Sequence, residues 1–258
     1  MLAHLLAAFR RLFTTRKSRT VVGLLIVVTA TLPVAEMLVL EMFSSLIIEG
    51  PEAFTQDTNG AILQIGIFLL AFGLTRGVHH LVRLVRVRVF RDGFEIAGRT
   101  RSPSQESWEW ALAFELSGVL VSLVQAVMFS TLFLFIDWPT GMVNILVVAV
   151  VLALVSAIYR RQFALQKDYI KMGSRPGTVA IPQRVGGRVR DAEFGAMLAS
   201  VGMVLVLVYM LLRTLLGDIS SANAIVLFLG LRLLSGQLGT LSASIMRFAR
   251  ASARRGDD

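Results

Sequence analysis

The chain has 258 residues, is 55% hydrophobic with a mean hydropathy of +0.70, and carries a net charge of +9 from 26 basic and 17 acidic side chains. Several apolar runs approach or exceed the ~20 residues that span a bilayer, which excludes an ordinary soluble domain and points to a polytopic membrane protein. Cysteine is absent, so disulfides, thiolate-bound zinc and thiol catalysis are excluded, and the redox compartment stays open.

The basic balance does not point to nucleic acid. The arginines flank apolar spans, where they set topology. Residues 1–20 place Leu2, Leu5, Leu6, Phe9, Leu12 and Phe13 at helical spacing, with Arg10, Arg11, Arg16, Lys17 and Arg19 among and after them. That pattern predicts an amphipathic elbow helix lying in the inner interface. A signal peptide fits poorly, because the apolar run from Val21 far exceeds an h-region of ~7–15 residues.

The first span is expected from Val21 to Ile48 and carries Glu36 and Glu41. A polar turn follows at 49–60. The second span is apolar from Ala61 to Leu74 and continues in helical pattern through Arg76, His79, His80, Arg83, Arg86, Arg88 and Arg91. Gly98 and Pro103 break that pattern. The third span begins after Trp108 and Trp110 and ends at Ile136, with Glu115 near its start. Asp137 to Gly141 reads as a tight turn, and the fourth span as Met142 to Ile158 with a charged helical continuation to about Lys171. Glycine and proline between Met172 and Gly187 predict a loop. The fifth span runs from Phe194 to Leu216 with Arg213 near its end. The last helix covers Ser220 to Arg255, with Arg232 about halfway across the membrane. Beyond it lie small residues (Ser235, Gly236, Gly239, Thr240, Ser242, Ser244) of the kind that let helices approach in lipid.

Charge fixes the expected orientation. Residues 1–20 hold five bases and no acid, 76–110 seven bases against four acids, 159–193 eight against three, and 247–258 four against two. The alternate segments hold only acids: three in 49–60, then Asp137, then Asp218. Both termini are therefore expected in the cytoplasm. The organisation is an all-α polytopic protein: an elbow at 1–20, a six-helix transmembrane domain at 21–250 and a short charged tail at 251–258. The 36 residues from Ala61 to Ile96 make ~54 Å of helix, against ~30 Å of hydrocarbon. Two helical hairpins are thus expected to project inward, tipped near 96–105 and 172–187.

TTRKSRTVVGLLIVVTATLPVAEMLVLEMFSSLI near the start and LLGDISSANAIVLFLGLRLLSGQLGTLSASIMRFARASARR near the end resemble the transmembrane domain of type I ABC exporters: basic elbow, first helix with a mid-helix glutamate, GDIS-type turn, sixth helix and Ala/Arg-rich linker. The resemblance implies a dimer of six-helix units, homo- or heteromeric, in the inner (plasma) membrane. It also implies inward hairpins ending in coupling helices, with separate ABC ATP-binding subunits docked on them. Arg99, Thr100, Arg101, Ser102 and Arg175 would then be coupling residues. The chain departs from the family in ending at Asp258, where an ATPase domain would begin, and in inward hairpins that read as short. No G-x-x-x-x-G-K-[ST] loop occurs, so ATP and magnesium are expected on the partner subunit and no cofactor on this chain.

Glu36 and Arg232 each lie 12 residues inward from the acidic side, at a depth of ~18 Å. They are expected to form an ion pair, either fixing helix register or marking the substrate path, the former preferred because intramembrane charges usually pair. Glu41 and Arg213 form a looser second pair, with Arg213 more simply snorkelling to the headgroups. Glu115 falls near the depth of Arg83, and a salt bridge is expected there. His79 and His80 are adjacent, hence not on one helix face, and read as solvated rather than metal-binding. The arginines at 83–91 read as a topology signal. No nucleophile–base set, inner-face carboxylate pair or metal spacing marks an enzyme. The expected function is the permease subunit of an ATP-driven exporter for an amphipathic cargo such as a lipid-linked molecule, peptide or drug. A non-transporting membrane scaffold that kept the fold is the alternative.

Overall fold

The computed structural model describes residues 1–48, 58–95, 103–172 and 179–254. Its elements are helices: α1 (Leu2–Leu12), α2 (Arg16–Ile48), α3 (Thr58–Glu95), α4 (Pro103–Ile136), α5 (Trp138–Met172), α6 (Ile181–Leu215) and α7 (Ser221–Arg254). Six of them, α2 to α7, are long and apolar enough to cross a membrane. The chain is a multi-pass, all-helical membrane protein among its described residues. The segments expected to form the hairpin tips, with Arg99, Thr100, Arg101, Ser102 and Arg175, together with residues 49–57 and 255–258, lie outside the described residues.

The elbow is shorter than the expected twenty residues. Helix α1 closes at Leu12 because Arg19 folds back and donates to the carbonyls of Phe13 (2.6 Å), Arg10 (3.0 Å) and Thr14 (3.2 Å), satisfying acceptors that a helix end leaves open. Thr15 Oγ1 accepts from the Ser18 N–H at 3.1 Å, an N-cap that starts α2 ahead of the apolar run. Leu5, Ala8 and Leu12 are buried and α1 packs on α4, while Leu2 and Leu6 stay exposed. The amphipathic stripe is therefore split between the bundle and its surroundings.

Helices α4, α5, α6 and α7 pack as a block, and α2 leans on α4 and α7. Phe129, Phe133, Tyr159, Leu227, Leu234 and Phe248 are fully buried between them. Small residues set the spacing at Gly195, Gly230 and Ser242, of which only Ser242 belongs to the expected stripe, whose Gly236 faces open space. A side chain at Gly195 of α6 would collide with Ser242 of α7, whose hydroxyl donates to the Ala192 carbonyl at 2.9 Å. A side chain at Gly230 would lie 2.6 Å from the Phe133 ring. Asn144 donates to Ser130 Oγ at 2.9 Å, tying α4 to α5.

Two connections depart from expectation. Between α4 and α5 only Asp137 is non-helical. Its carboxylate accepts the Thr140 N–H at 3.1 Å and its carbonyl the Gly141 N–H at 2.9 Å, so the expected five-residue turn is the first turn of α5. The loop expected up to Gly187 ends sooner, since α6 begins at Ile181. Pro182 sits in that helix's first turn, where its missing N–H has no intrahelical partner to lose.

Helix α3 stands apart. Among the described residues its extensive packing is with α2 alone, and Ile62, Leu63, Leu69, Leu70, Leu74, Leu81 and Leu84 are all more than half exposed. Helix α2 itself contains Pro33, which removes one rung of the hydrogen-bond ladder.

Replacing Gly195 with Leu should lower stability by ~1–3 kcal/mol through overpacking of α6 on α7. Thermal melting in detergent checks this, and an unchanged midpoint would refute the close contact. Gly186→Leu, at an open position of the same helix, is the control.

Candidate functional site

Charge in the spans is concentrated at three places, each joining different helices. At the end of the bundle that carries the acidic turns, Arg213 of α6 reaches Asp137 at 3.2 Å and Asp218 at 3.7 Å. Asp218 is positioned because Gly217 adopts a left-handed conformation (φ +83°) and closes α6, a conformation that carries no steric penalty for glycine. One guanidinium thus ties the α4–α5 turn to the α6–α7 turn. The Glu41–Arg213 pair is not formed, because Arg213 has two nearer carboxylates. Glu41 is half-buried on α2 and makes no ion pair among the described residues. Toward the arginine-rich end, Glu115 of α4 accepts from Arg247 Nε of α7 at 2.7 Å. Glu115 thus pairs with Arg247 of α7, a partner the sequence reading did not name; the side chain of Arg83, expected near its depth, lies outside the described ones.

The third place lies along α2 and α3. Glu36 Oε1 is 3.6 Å from Arg76 Nη1 and 3.7 Å from His79 Nδ1. Arg76 and His79 are three residues apart and share a face of α3. Arg76 lines a cleft of about 350 Å³ together with Glu36, Val39, Phe43, Phe68 and Phe72, among others. Its aromatic wall is continuous: Phe43 and Phe68 have ring centroids 5.7 Å apart, and Phe68 and Phe72 6.2 Å apart. Arg76 lies over the Phe72 ring at 5.5 Å, within cation–π range. Among the described residues no group of three His, Asp or Glu side chains has metal-binding spacing.

The structure does not bring Glu36 to Arg232. Equal depth says nothing about which way a residue points around its helix. Leu231 and Leu234 take the buried face of α7, while Ile225, Phe228 and Arg232 share the exposed one. Arg232 borders a cleft of about 250 Å³ between α6 and α7, with Ser200, Met203, Leu207, Phe228 and Ser235, and forms no ion pair among the described residues. What sequence reasoning missed is Arg76 with His79 as the partner set of Glu36. The available signal was their place as the first charged and titratable groups after the apolar run to Leu74, three positions apart.

At the arginine-rich end, α5 and α6 border a polar groove of about 770 Å³ lined by Arg161, Tyr169, Arg184, Arg190, Asp191 and Glu193. Gln162 donates to Asp191 at 2.5 Å across it, and Arg184 lies over Tyr169 at 5.1 Å.

No family model matches the chain, and no curated protein matches it in sequence.

Asp137→Asn keeps the acceptor that caps α5 and removes the charge facing Arg213. It should lower the melting temperature, and Arg213→Ala should do so further, whereas Arg232→Ala should leave it unchanged. Equal melting points for all four proteins would refute the two-turn clamp.

Proposed function

We propose that this chain is the membrane-spanning permease subunit of an ATP-driven exporter, which works as a dimer, is energised by a separate ATP-binding subunit and moves an amphipathic substrate. The observation that carries this reading is Arg232. It is the twelfth residue of α7, ~17 Å along a helix that crosses ~30 Å of hydrocarbon. There it stands exposed and unpaired among the described residues. A guanidinium at that depth is too costly to face lipid and belongs on a water-filled path or against a protein partner. The cleft beside Arg232 would be completed into that path by a second transmembrane subunit. Arg232 is then a pathway residue, and Glu36 with Arg76 marks a second charged point beside the bilayer.

The drive comes from elsewhere. The elbow, GDIS turn and final helix resemble exporter transmembrane domains, and helices of 33 to 38 residues outrun the bilayer by several turns. With the charge bias placing the termini in the cytoplasm of a plasma-membrane protein, the tips at Arg99–Ser102 and at Arg175 receive the ATP-binding subunits. Those subunits hold ATP and magnesium, and their closure rocks the helices between two access states.

Because the chain lacks cysteine, Arg232→Cys carries the sole thiol. It should react with a membrane-impermeant, charged methanethiosulfonate, while Leu205→Cys on the exposed face of α6 should not. Protection of both positions would remove the aqueous path. Purified under native conditions, the protein should bring down a nucleotide-binding subunit whose ATP turnover depends on it. A stable complex containing no ATPase would overturn the exporter reading in favour of a scaffold.

A further inference from the structure

The geometry points to the α2–α3 cleft as a binding site for a zwitterionic amphiphile, one whose head group carries both an ammonium and a phosphate. Glu36 Oε1 and His79 Nδ1 are both buried and without a hydrogen bond among the described residues. Glu36 stands 3.6 Å from Arg76 and 3.7 Å from His79, which is ion-pair distance and outside hydrogen-bond distance. The Glu36 side chain is 31% exposed and that of Arg76 57%, so both charges can be approached by a ligand in the cleft. A ligand that meets both must donate to Glu36 and accept from Arg76. An ammonium does the first and a phosphate the second, each as a charge-assisted hydrogen bond.

The remaining lining fits the rest of such a molecule. Phe43, Phe68 and Phe72, with Val39 and Leu40, form an apolar wall along the cleft. Arg76 is 57% exposed in its side chain, so its guanidinium is within reach of a ligand without unpacking the bundle. The cleft, at about 350 Å³, is in the range of small-ligand sites, ~300–1,000 Å³. A plain anion would meet the Glu36 carboxylate and a plain cation the Arg76 guanidinium. The zwitterion alone finds complementary charge at both ends. With α2 as the only extensive neighbour of α3 among the described residues, the cleft is reached sideways from the bilayer. The inference deepens the exporter reading by naming a class of cargo, and rests on that reading for the direction of movement only.

The test uses the purified chain in detergent and native mass spectrometry. The probes are phosphatidylethanolamine, phosphatidylglycerol (phosphate without ammonium) and a dialkylammonium amphiphile (ammonium without phosphate). Phosphatidylethanolamine should bind about tenfold tighter than either, the worth of one charge-assisted contact. Glu36→Gln, equal in size, should abolish that advantage without weakening phosphatidylglycerol, and Arg76→Ala should weaken both phospholipids. Where Glu36→Gln does not fold, Glu36→Asp should show a smaller loss of the same preference. Equal affinity for the three probes, tightest binding of the ammonium amphiphile, or a preference that survives Glu36→Gln would each overturn the proposal. Absence of an ATPase partner would sink the exporter reading and leave this binding intact. Loss of the lipid preference would sink this site and leave the ATPase association intact.

Discussion

A charge inside hydrocarbon is tolerated only beside a counter-charge, water or another protein, and that constraint orders the helices of this chain. Arg213 ties two turns at one end, Glu115 with Arg247 ties α4 to α7 toward the other, and Glu36 holds α3 to α2 between them. These links matter because apolar contact alone selects no neighbour in lipid, whose tails are as apolar as leucine. What they add is choice of neighbour and register.

Packing supplies the rest. Helix association in a bilayer depends on close approach and on a few interhelical hydrogen bonds. The α4–α7 block has both, through Gly195 against Ser242, Gly230 against Phe133 and Asn144 bonded to Ser130. Among the described residues nothing comparable joins α3 to that block. Its glycines at 66, 73 and 77 face open space, so small residues there accompany no close contact. The contrast separates a rigid four-helix unit, with α2 leaning on it, from a helix held by one neighbour and one polar cluster.

Much of this was legible in the residues, and the failures have physical causes. Six spans and the amphipathic elbow follow from hydropathy and periodicity, which are local. The turns were misjudged because Asp137 and Pro182 serve as helix starters as readily as loop residues. The ion pairs were assigned by depth, a one-dimensional quantity, whereas pairing also depends on rotation about the helix axis. Arg232 shares the depth of Glu36 and points elsewhere. Arg213 had two carboxylates one turn away in space, Asp137 from a distant part of the chain and Asp218 from its own. The coupling tips at Arg99–Ser102 and Arg175 were inferred from resemblance and stay with it.

Pro33 gives α2 a mechanical character that its length conceals. Without an N–H at that position the helix lacks one rung there and bends more readily than elsewhere. Glu36 comes just after the break, and through Arg76 and His79 it carries α3. A bend at Pro33 would carry α3 together with the Glu36-bearing part of α2, against the packing of the buried Met37 and Val39. The width of the aromatic cleft is unaffected by such a swing, since both of its walls ride on the same arm.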